Sequence, residues 1–183
     1  MNQEQLAHVL RAAATIVDDG EILVIGSQAI LGTMDAPRLP AEAVMSIEAD
    51  LAFFDDPDES KMDMVDGAIG EGSSFHGMFG YYAQGVTIET AVLPAGWRNR
   101  LIPFVRPDAY PSDGQCLDAH DLVVAKLVAN REKDREFSAA LIEAGLIDVR
   151  TLLARVQMLD QPEAVRVRTR DAIEVCARTA GCG

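Results

Sequence analysis

The feature that most constrains this chain is a pair of acidic residues inside an apolar segment. Residues 47–54 read Ile-Glu-Ala-Asp-Leu-Ala-Phe-Phe, a composition typical of a buried strand. Residues two apart on a strand point to the same face, so Glu48 and Asp50 would lie side by side. Adjacent carboxylates repel each other, and a bound divalent cation such as Mg²⁺ would remove that cost. A solvated strand face is the alternative interpretation.

Strand and helix patterns around this segment predict an α/β (α+β) fold. Strand patterns cover residues 21–25, 47–54, 81–83, 86–93 and 101–106, and the 81–83 and 86–93 runs are expected to form a hairpin. Helical patterns cover residues 3–18, 55–72, 118–144 and 148–179. We therefore expect a small mixed sheet flanked by helices over residues 1–112, followed by a C-terminal helical region over residues 113–183 that packs on this core.

A Gly-Ser pair directly follows the first predicted strand. Gly26 and Ser27 lie between that strand and a helix expected to begin at Gln28. Glycine lets a phosphate approach the backbone, and the N–H groups at the start of a helix favour an anion. A tight turn without a ligand is the alternative.

A third acidic residue, Glu89, is the only charge in the apolar run of residues 86–93. If that run is a strand next to residues 47–54, Glu89 would complete a site of three carboxylates able to hold two metal ions. A single acid on such a strand is otherwise a solvent-facing residue.

A lysine stands in the middle of the apolar helix predicted over residues 122–129. Lys126 needs an anionic partner there, or must extend its ammonium group to solvent. On a continuous helix Asp134 would lie on the same broad side and would orient Lys126 towards a phosphate.

Taken in order, these elements resemble the nucleotidyltransferase (DNA polymerase β-like) superfamily, and within it the small prokaryotic branch. That branch includes uncharacterised single-domain members and abortive-infection-type nucleotidyltransferase toxins. Two further stretches carry the resemblance: Asp121-Leu-x-x-x-Lys126-Leu-x-x-x-Arg131-x-Lys-Asp134 and Val92-Leu-Pro-x-Gly96-Trp97-x-x-Arg100-Leu. The chain departs from the branch at Glu48, where aspartate is commoner, and at Val44, where arginine is frequent. Trp97 is expected to anchor packing or to stack on a base.

The resemblance implies transfer of a nucleoside monophosphate from an NTP to a hydroxyl acceptor, with Mg²⁺ or Mn²⁺ as cofactor. The acceptor would be an RNA such as tRNA, a protein or a small molecule, and a toxin with a cognate antitoxin is one expected setting. The implied metal ligands are Glu48, Asp50 and Glu89. The implied nucleotide-binding residues are Gly26, Ser27, Ser46 and Lys126, with Asp134 orienting the lysine. A non-catalytic nucleotidyltransferase-like binding protein and a homo-oligomeric helical scaffold are the alternatives.

The charge of the chain is divided unevenly. Residues 1–95 carry 16 acidic and 3 basic side chains, whereas residues 96–183 carry 13 of each. An acidic half does not bind phosphates by itself, so it either recruits cations or is a solvated surface. The N-terminal segment is expected to form an amphipathic helix and not a secretory leader, and no apolar run reaches membrane-spanning length. Its three cysteines, Cys116, Cys176 and Cys182, lack metal-ligand spacing, and free thiols in the cytoplasm are expected.

Overall fold

The computed structural model of the protein describes residues 1–34, 36–105 and 114–181. Its helices are α1 (Gln3–Val17), α2 (Ile30–Thr33), α3 (Ala41–Val44), α4 (Ser60–Ile69), α5 (Ser74–Phe79), α6 (Ala119–Ala129), α7 (Glu132–Glu143), α8 (Val149–Gln157) and α9 (Glu163–Thr179). Its strands are β1 (Ile22–Val24), β2 (Glu48–Phe53), β3 (Tyr82–Gly85), β4 (Ile102–Pro103) and β5 (Gln115–Cys116). Short 3₁₀ segments occupy Ser27–Ala29, Ala36–Arg38, Ile88–Thr90 and Trp97–Arg100. The predicted mixed α/β fold with a helical C-terminal segment is confirmed.

The strands form one mixed sheet in the order β3-β2-β1-β5-β4. β1 runs antiparallel to β2, with Val24 opposite Leu51, and parallel to β5, with Val24 opposite Cys116. All three residues of β1 are buried, as expected for the central strand of a sheet that helices cover. The sheet therefore brings the segment after β1, the middle of β2 and the start of α6 to one region.

α6 is fixed to the rest of the protein by a buried ion cluster around Asp121. The Asp121 side chain is 1% exposed. Arg100 donates to both of its carboxylate oxygens, with Nε 2.8 Å from Oδ2 and Nη2 3.2 Å from Oδ1. Arg155 of α8 places Nε 3.2 Å from Oδ1. Arg100 also donates to the carbonyl oxygens of Pro94 and Ala95, so the cluster ties α6, α8 and the Trp97–Arg100 segment together.

The predicted hairpin around Gln84-Gly85 is wrong. These residues continue β3, which runs parallel to β2, and the chain then enters the 3₁₀ segment Ile88–Thr90. Two contacts hold Gly85 in the strand. Its N–H donates to the Asp66 carboxylate of α4 at 2.5 Å, and a side chain at this position would overlap Met62 of the same helix. The packing of α4 therefore decides the direction of the chain here, and no local turn forms.

The prediction of one continuous helix from Lys126 to Asp134 is also wrong. α6 ends at Ala129 and Asn130 adopts the left-handed conformation, with φ of 55°, before α7 begins at Glu132. Asparagine tolerates this conformation better than most residues and commonly ends helices. The predicted boundary between residues 112 and 113 lies outside the described residues, although β5, which follows it, belongs to the same sheet as β1.

Cys116 and Cys176 are free and buried, and Cys182 lies outside the described residues. No helix in the described part of the chain combines the length and apolar character needed to cross a bilayer.

Candidate functional site

The Glu48 and Asp50 side chains share one face of β2, and the Asp50 carboxylate lies directly over Gly26. The charge of Glu48 contributes to a raised pKa of Asp50, so the two carboxyl groups are near each other. A Cβ atom at Gly26 would overlap the Asp50 carboxylate, so only glycine leaves room for that side chain. The Ile25 N–H donates to the Asp50 carbonyl oxygen at 3.0 Å and holds the segment after β1 against β2. The role of Gly26 is therefore close approach, because its φ of −84° is open to any residue.

Burial and the neighbouring Glu48 change the protonation of Asp50. Burial, and then the negative charge of Glu48, raise the pKa of Asp50 to about 6, while Lys126 and Lys133 oppose the shift. The Tyr82 hydroxyl donates to Glu48 Oε2 at 3.1 Å. Burial and the charge of Glu48 raise the pKa of Tyr82 to about 12, so this phenol keeps its proton. Asp50 therefore holds its proton more readily than an isolated carboxylate and would release that proton when a cation binds.

Lys126 and Asp134 form the cationic side of the site. Lys126 Nζ lies 3.4 Å from Asp134 Oδ1 and 5.0 Å from the centre of the Phe137 ring. Asp134 Oδ2 accepts the N–H of Arg131 at the start of α7. Asp134 is almost fully buried, so its carboxylate fixes the lysine ammonium from the protein side. The predicted contact between the two residues is present, although a break between two helices creates it.

Two cavities meet at Lys126 and Asp134. The smaller, of about 140 Å³, is lined by Gly26 and Asp50 together with Val86, Thr90 and residues of α6. The larger, of about 350 Å³, is lined by Ser27 and Ser46 together with Lys133 and Phe137. Asp50 thus lines the cavity on one side of the lysine, and the two predicted serines line the cavity on the other.

The two serines occupy different structural roles. Ser46 accepts the N–H of Glu48 at 3.1 Å and donates to its carbonyl oxygen at 3.2 Å, which fixes the entry into β2. Ser27 begins a 3₁₀ turn, and α2, which follows, has four residues. The helix expected to begin at Gln28 is thus present as this 3₁₀ turn and the short α2. Any anion here would be held mainly by side chains, because so short a helix adds little dipole.

The structure separates Glu89 from the other two acids. Glu89 lies in the 3₁₀ segment Ile88–Thr90, is exposed, and lines a different cavity together with Phe53, Phe54 and Arg98. The predicted placement on a strand beside Glu48 and Asp50 is wrong, because β3 ends at Gly85 and its register sets Tyr82 and Gln84 opposite those acids. The predicted three-carboxylate arrangement is thus reduced to a pair.

The Glu48–Asp50 pair still suits a divalent cation that arrives bound to a nucleotide. Among residues 1–34, 36–105 and 114–181 no group of three or more His, Cys, Asp or Glu side chains is arranged to hold a metal. Mg²⁺ is commonly held by one or two carboxylates, with waters and substrate phosphates completing its octahedron. Glu48 and Asp50 therefore suit Mg²⁺ or Mn²⁺ that arrives with phosphates, and do not form a closed protein cage.

Sequence reasoning missed Tyr82 and gave no role to Lys133. Tyr82 pairs with Glu48 in the parallel register of β2 and β3, which the predicted hairpin concealed. Lys133 lies on the first turn of α7 and reaches the cavity only because the chain breaks at Asn130. The signal for that break was an asparagine between two helical patterns.

Comparison with known protein families gives one finding. A family model described as "Nucleotidyltransferase of unknown function (DUF6036)" matches residues 4–173 of the chain. The match includes the sheet, the carboxylate pair, Lys126 and Asp134. No curated protein and no solved structure is significantly similar to the chain.

Proposed function

The chain belongs to the family of nucleotidyltransferases of unknown function, and from that premise we propose that it transfers a nucleoside monophosphate from an NTP to a hydroxyl acceptor. In this reaction the acceptor oxygen forms a bond to the α-phosphorus and loses its proton. The bond between the α-phosphorus and the bridging oxygen to the β-phosphate breaks, and pyrophosphate leaves.

One observation carries the proposal: the Glu48–Asp50 pair lies over Gly26 and beside the Lys126–Asp134 ion pair. Two neighbouring carboxylates are costly without a cation, and burial together with the charge of Glu48 raises the pKa of Asp50 to about 6. A lysine held by a buried aspartate supplies positive charge on the other side of the same cleft. An anionic and a cationic group that line the same cavity, as Asp50 and Lys126 do, are what a metal-bound polyphosphate requires.

Each residue has a defined part in this proposal. Glu48 and Asp50 would hold Mg²⁺ or Mn²⁺, which when bound neutralises phosphate charge and lowers the pKa of an attacking hydroxyl. Lys126 would balance the negative charge that develops on the departing pyrophosphate, with Asp134 fixing its position. Ser27 and Ser46 line the cavity on the far side of Lys126, where the β- and γ-phosphates would extend. Glu89 is not assigned to the metal, because it lines another cavity.

The acceptor class includes RNA such as tRNA, a protein and a small molecule, and a toxin with a cognate antitoxin is one setting for such an activity. The acidic N-terminal half disfavours broad contact with a polyanion. An RNA acceptor would therefore approach from the side of Lys126, Arg131 and Lys133, where the cationic groups lie.

Metal and nucleotide together are expected to raise the melting temperature of the protein. Mg²⁺ or Mn²⁺ should stabilise it by relieving repulsion at the pair, and NTP should add to the effect because ligands that bind the folded state stabilise it. The melting temperature of Asp50→Asn should no longer rise with metal. That of Asp171→Asn, at an exposed position of α9, should rise as in the wild-type protein. Differential scanning fluorimetry measures all three proteins. Equal metal responses in the two variants would remove Asp50 from the site.

A second variant tests the cationic side. Replacing Lys126 by methionine together with Asp134→Asn keeps the volumes and leaves no orphaned carboxylate. We expect NTP affinity in the presence of Mg²⁺ to fall roughly thirtyfold, the equivalent of about 2 kcal/mol for one charge-assisted contact. Lys133→Met, on the exposed side of the same cavity, should reduce NTP affinity less, because the Lys133 ammonium of the wild-type protein is hydrated. Calorimetric titration gives the affinities, and an unchanged value in the double variant would assign Lys126 to packing.

A second candidate function, nucleotide binding without transfer, is favoured by the displacement of Glu89. With a pair of carboxylates in place of three, a nucleotide could bind while the acceptor hydroxyl lacks a base. Metal-dependent NTP binding without pyrophosphate release, across RNA, protein and small-molecule acceptors, would select this candidate.

A further inference from the structure

We propose that Phe54 and Trp97 form a stacking site for a nucleobase, and that the cavity beside Phe54 receives its edge. This inference rests on the proposed function for its biological meaning, since it names the kind of group that binds next to the transfer site. Its physical basis is separate from the carboxylate pair and uses other residues.

The two aromatic rings present a flat, partly exposed surface. Their centres lie 6.5 Å apart and their planes differ by 15°, within the range of offset-stacked pairs. The Arg98 guanidinium lies over both, 5.2 Å from the centre of the Phe54 ring and 4.9 Å from that of Trp97. Arg98 is exposed, so a planar ligand can take its place on the rings or stack against it. Aromatic rings next to an arginine are a recurrent platform for bases.

The surface has a rigid support. Phe54 directly follows β2, so the strand that carries Glu48 and Asp50 also sets the position of its ring. Trp97 belongs to the segment that Arg100 anchors to buried Asp121. Both rings also pack on the hydrophobic core. A stacking platform held from two sides loses little conformational entropy when a ligand binds.

A cavity of about 350 Å³ adjoins this platform and shares one lining residue with the cavity of the candidate transfer site. Phe54 and Arg98 line it, and Val86 lines both this cavity and the one that contains Asp50. A nucleobase is smaller than the cavity, so a base with its attached sugar fits. A nucleotide lying along Val86 would reach from the platform to the carboxylate pair.

The polar lining of the cavity selects among bases. Asp55 and Glu89 supply carboxylate oxygens, whereas the second acid after β2, Asp56, is engaged by the N–H groups of Lys61 and Met62. Carboxylates accept hydrogen bonds from amino groups and repel carbonyl oxygens. The site therefore favours a base with an exocyclic amino group, such as cytosine or adenine, over uracil.

Trp97 makes the test direct, because it is the only tryptophan in the chain. Indole fluorescence, excited at the red edge of its absorption, is followed while adenosine, cytidine or uridine is added to the metal-free protein. We expect saturable quenching, with cytidine binding more tightly than uridine, which has the same ring size. Phe54→Leu should weaken binding at least about fivefold, in line with the loss of one stacked base. Phe79→Leu, at an exposed aromatic of α5, is the matched control and should leave it unchanged.

The outcomes show whether the base belongs to the donor nucleotide or to the acceptor. They also test the stacking site separately from the transfer reaction. If a triphosphate tightens quenching and Lys126→Met removes that gain, the base belongs to the donor nucleotide. If a short oligonucleotide binds more tightly than a nucleoside and Lys126→Met has no effect, it belongs to the acceptor. Absence of saturable quenching by nucleosides, equal quenching by cytidine and uridine, or equal affinities in Phe54→Leu and Phe79→Leu would overturn the stacking site. Saturable nucleoside binding by the wild-type protein, without any metal-dependent NTP binding by that same protein, would support the stacking site and reject the transfer proposal.

Discussion

Asp121→Asn is expected to destabilise the protein by about 3 kcal/mol, the cost typical of removing one partner from a buried ion pair. The substitution conserves the shape of the side chain but leaves Arg100 and Arg155 facing a neutral group in a site that is closed to water on the aspartate side. Because the cluster joins α6, α8 and the Trp97–Arg100 segment, the loss should reduce the stability of the whole domain. Urea denaturation followed by circular dichroism measures the change in the free energy of unfolding.

The control for Asp121→Asn is Glu163→Gln in α9. Glu163 also contacts two arginines, Arg166 and Arg170, but at the surface, where ion pairs contribute little because water and salt screen them. Similar denaturation midpoints for Asp121→Asn and the wild-type protein would show that the cluster does not hold α6 in place.

Asp50→Asn should have the opposite effect, and the effect should depend on pH. The pKa of Asp50 is about 6 in the folded protein and ordinarily 3.8, so the folded state holds this proton more tightly than the unfolded state. The wild-type protein therefore loses stability as pH rises from about 4 to about 6 and stays less stable above that range. The loss is on the order of 3 kcal/mol. Asparagine carries no charge, so the variant avoids this loss.

The measurement compares unfolding free energies of the two proteins at several pH values in the presence of a chelator. The proteins should be similar near pH 4, and the variant should be the more stable above pH 6. Mg²⁺ added at the higher pH should narrow the gap by stabilising the wild-type protein alone. A constant difference across the whole range would mean that folding does not raise the pKa of Asp50.

Features set by local chain geometry could be predicted from the sequence. The alternation of a strand places Glu48 and Asp50 on one face, and both residues lie on β2 in the structure. Gly26 was recognisable as a glycine directly after a buried strand. The sequence suggested that it lets a phosphate approach the backbone, whereas the structure shows that it makes room for the Asp50 side chain. The family resemblance added the order of these elements, which composition alone does not contain.

Features set by packing between distant segments could not be predicted. The direction of the chain after Gly85 depends on Asp66 and Met62 of α4, and a hairpin pattern carries no information about that helix. The incorrect hairpin prediction placed Glu89 on a strand beside the two acids. It also hid the pairing of Tyr82 with Glu48. Asp121 lies in one of the two stretches that carry the family resemblance. Its two arginine partners, however, lie 21 and 34 positions away in the sequence, and their convergence is a property of the fold.

The parallel pairing of β1 with β5 has a consequence for how the cleft comes into being. Leu23 is the neighbour of Gln115 in the sheet, so more than half of the chain must be synthesised before the central strand acquires both partners. Lys126 and Asp134 emerge later still. Such a high contact order slows folding, because a long loop must close before its contacts stabilise anything. On the ribosome the acidic pair would therefore exist well before its cationic counterpart, and the complete cleft would arise in a single late step.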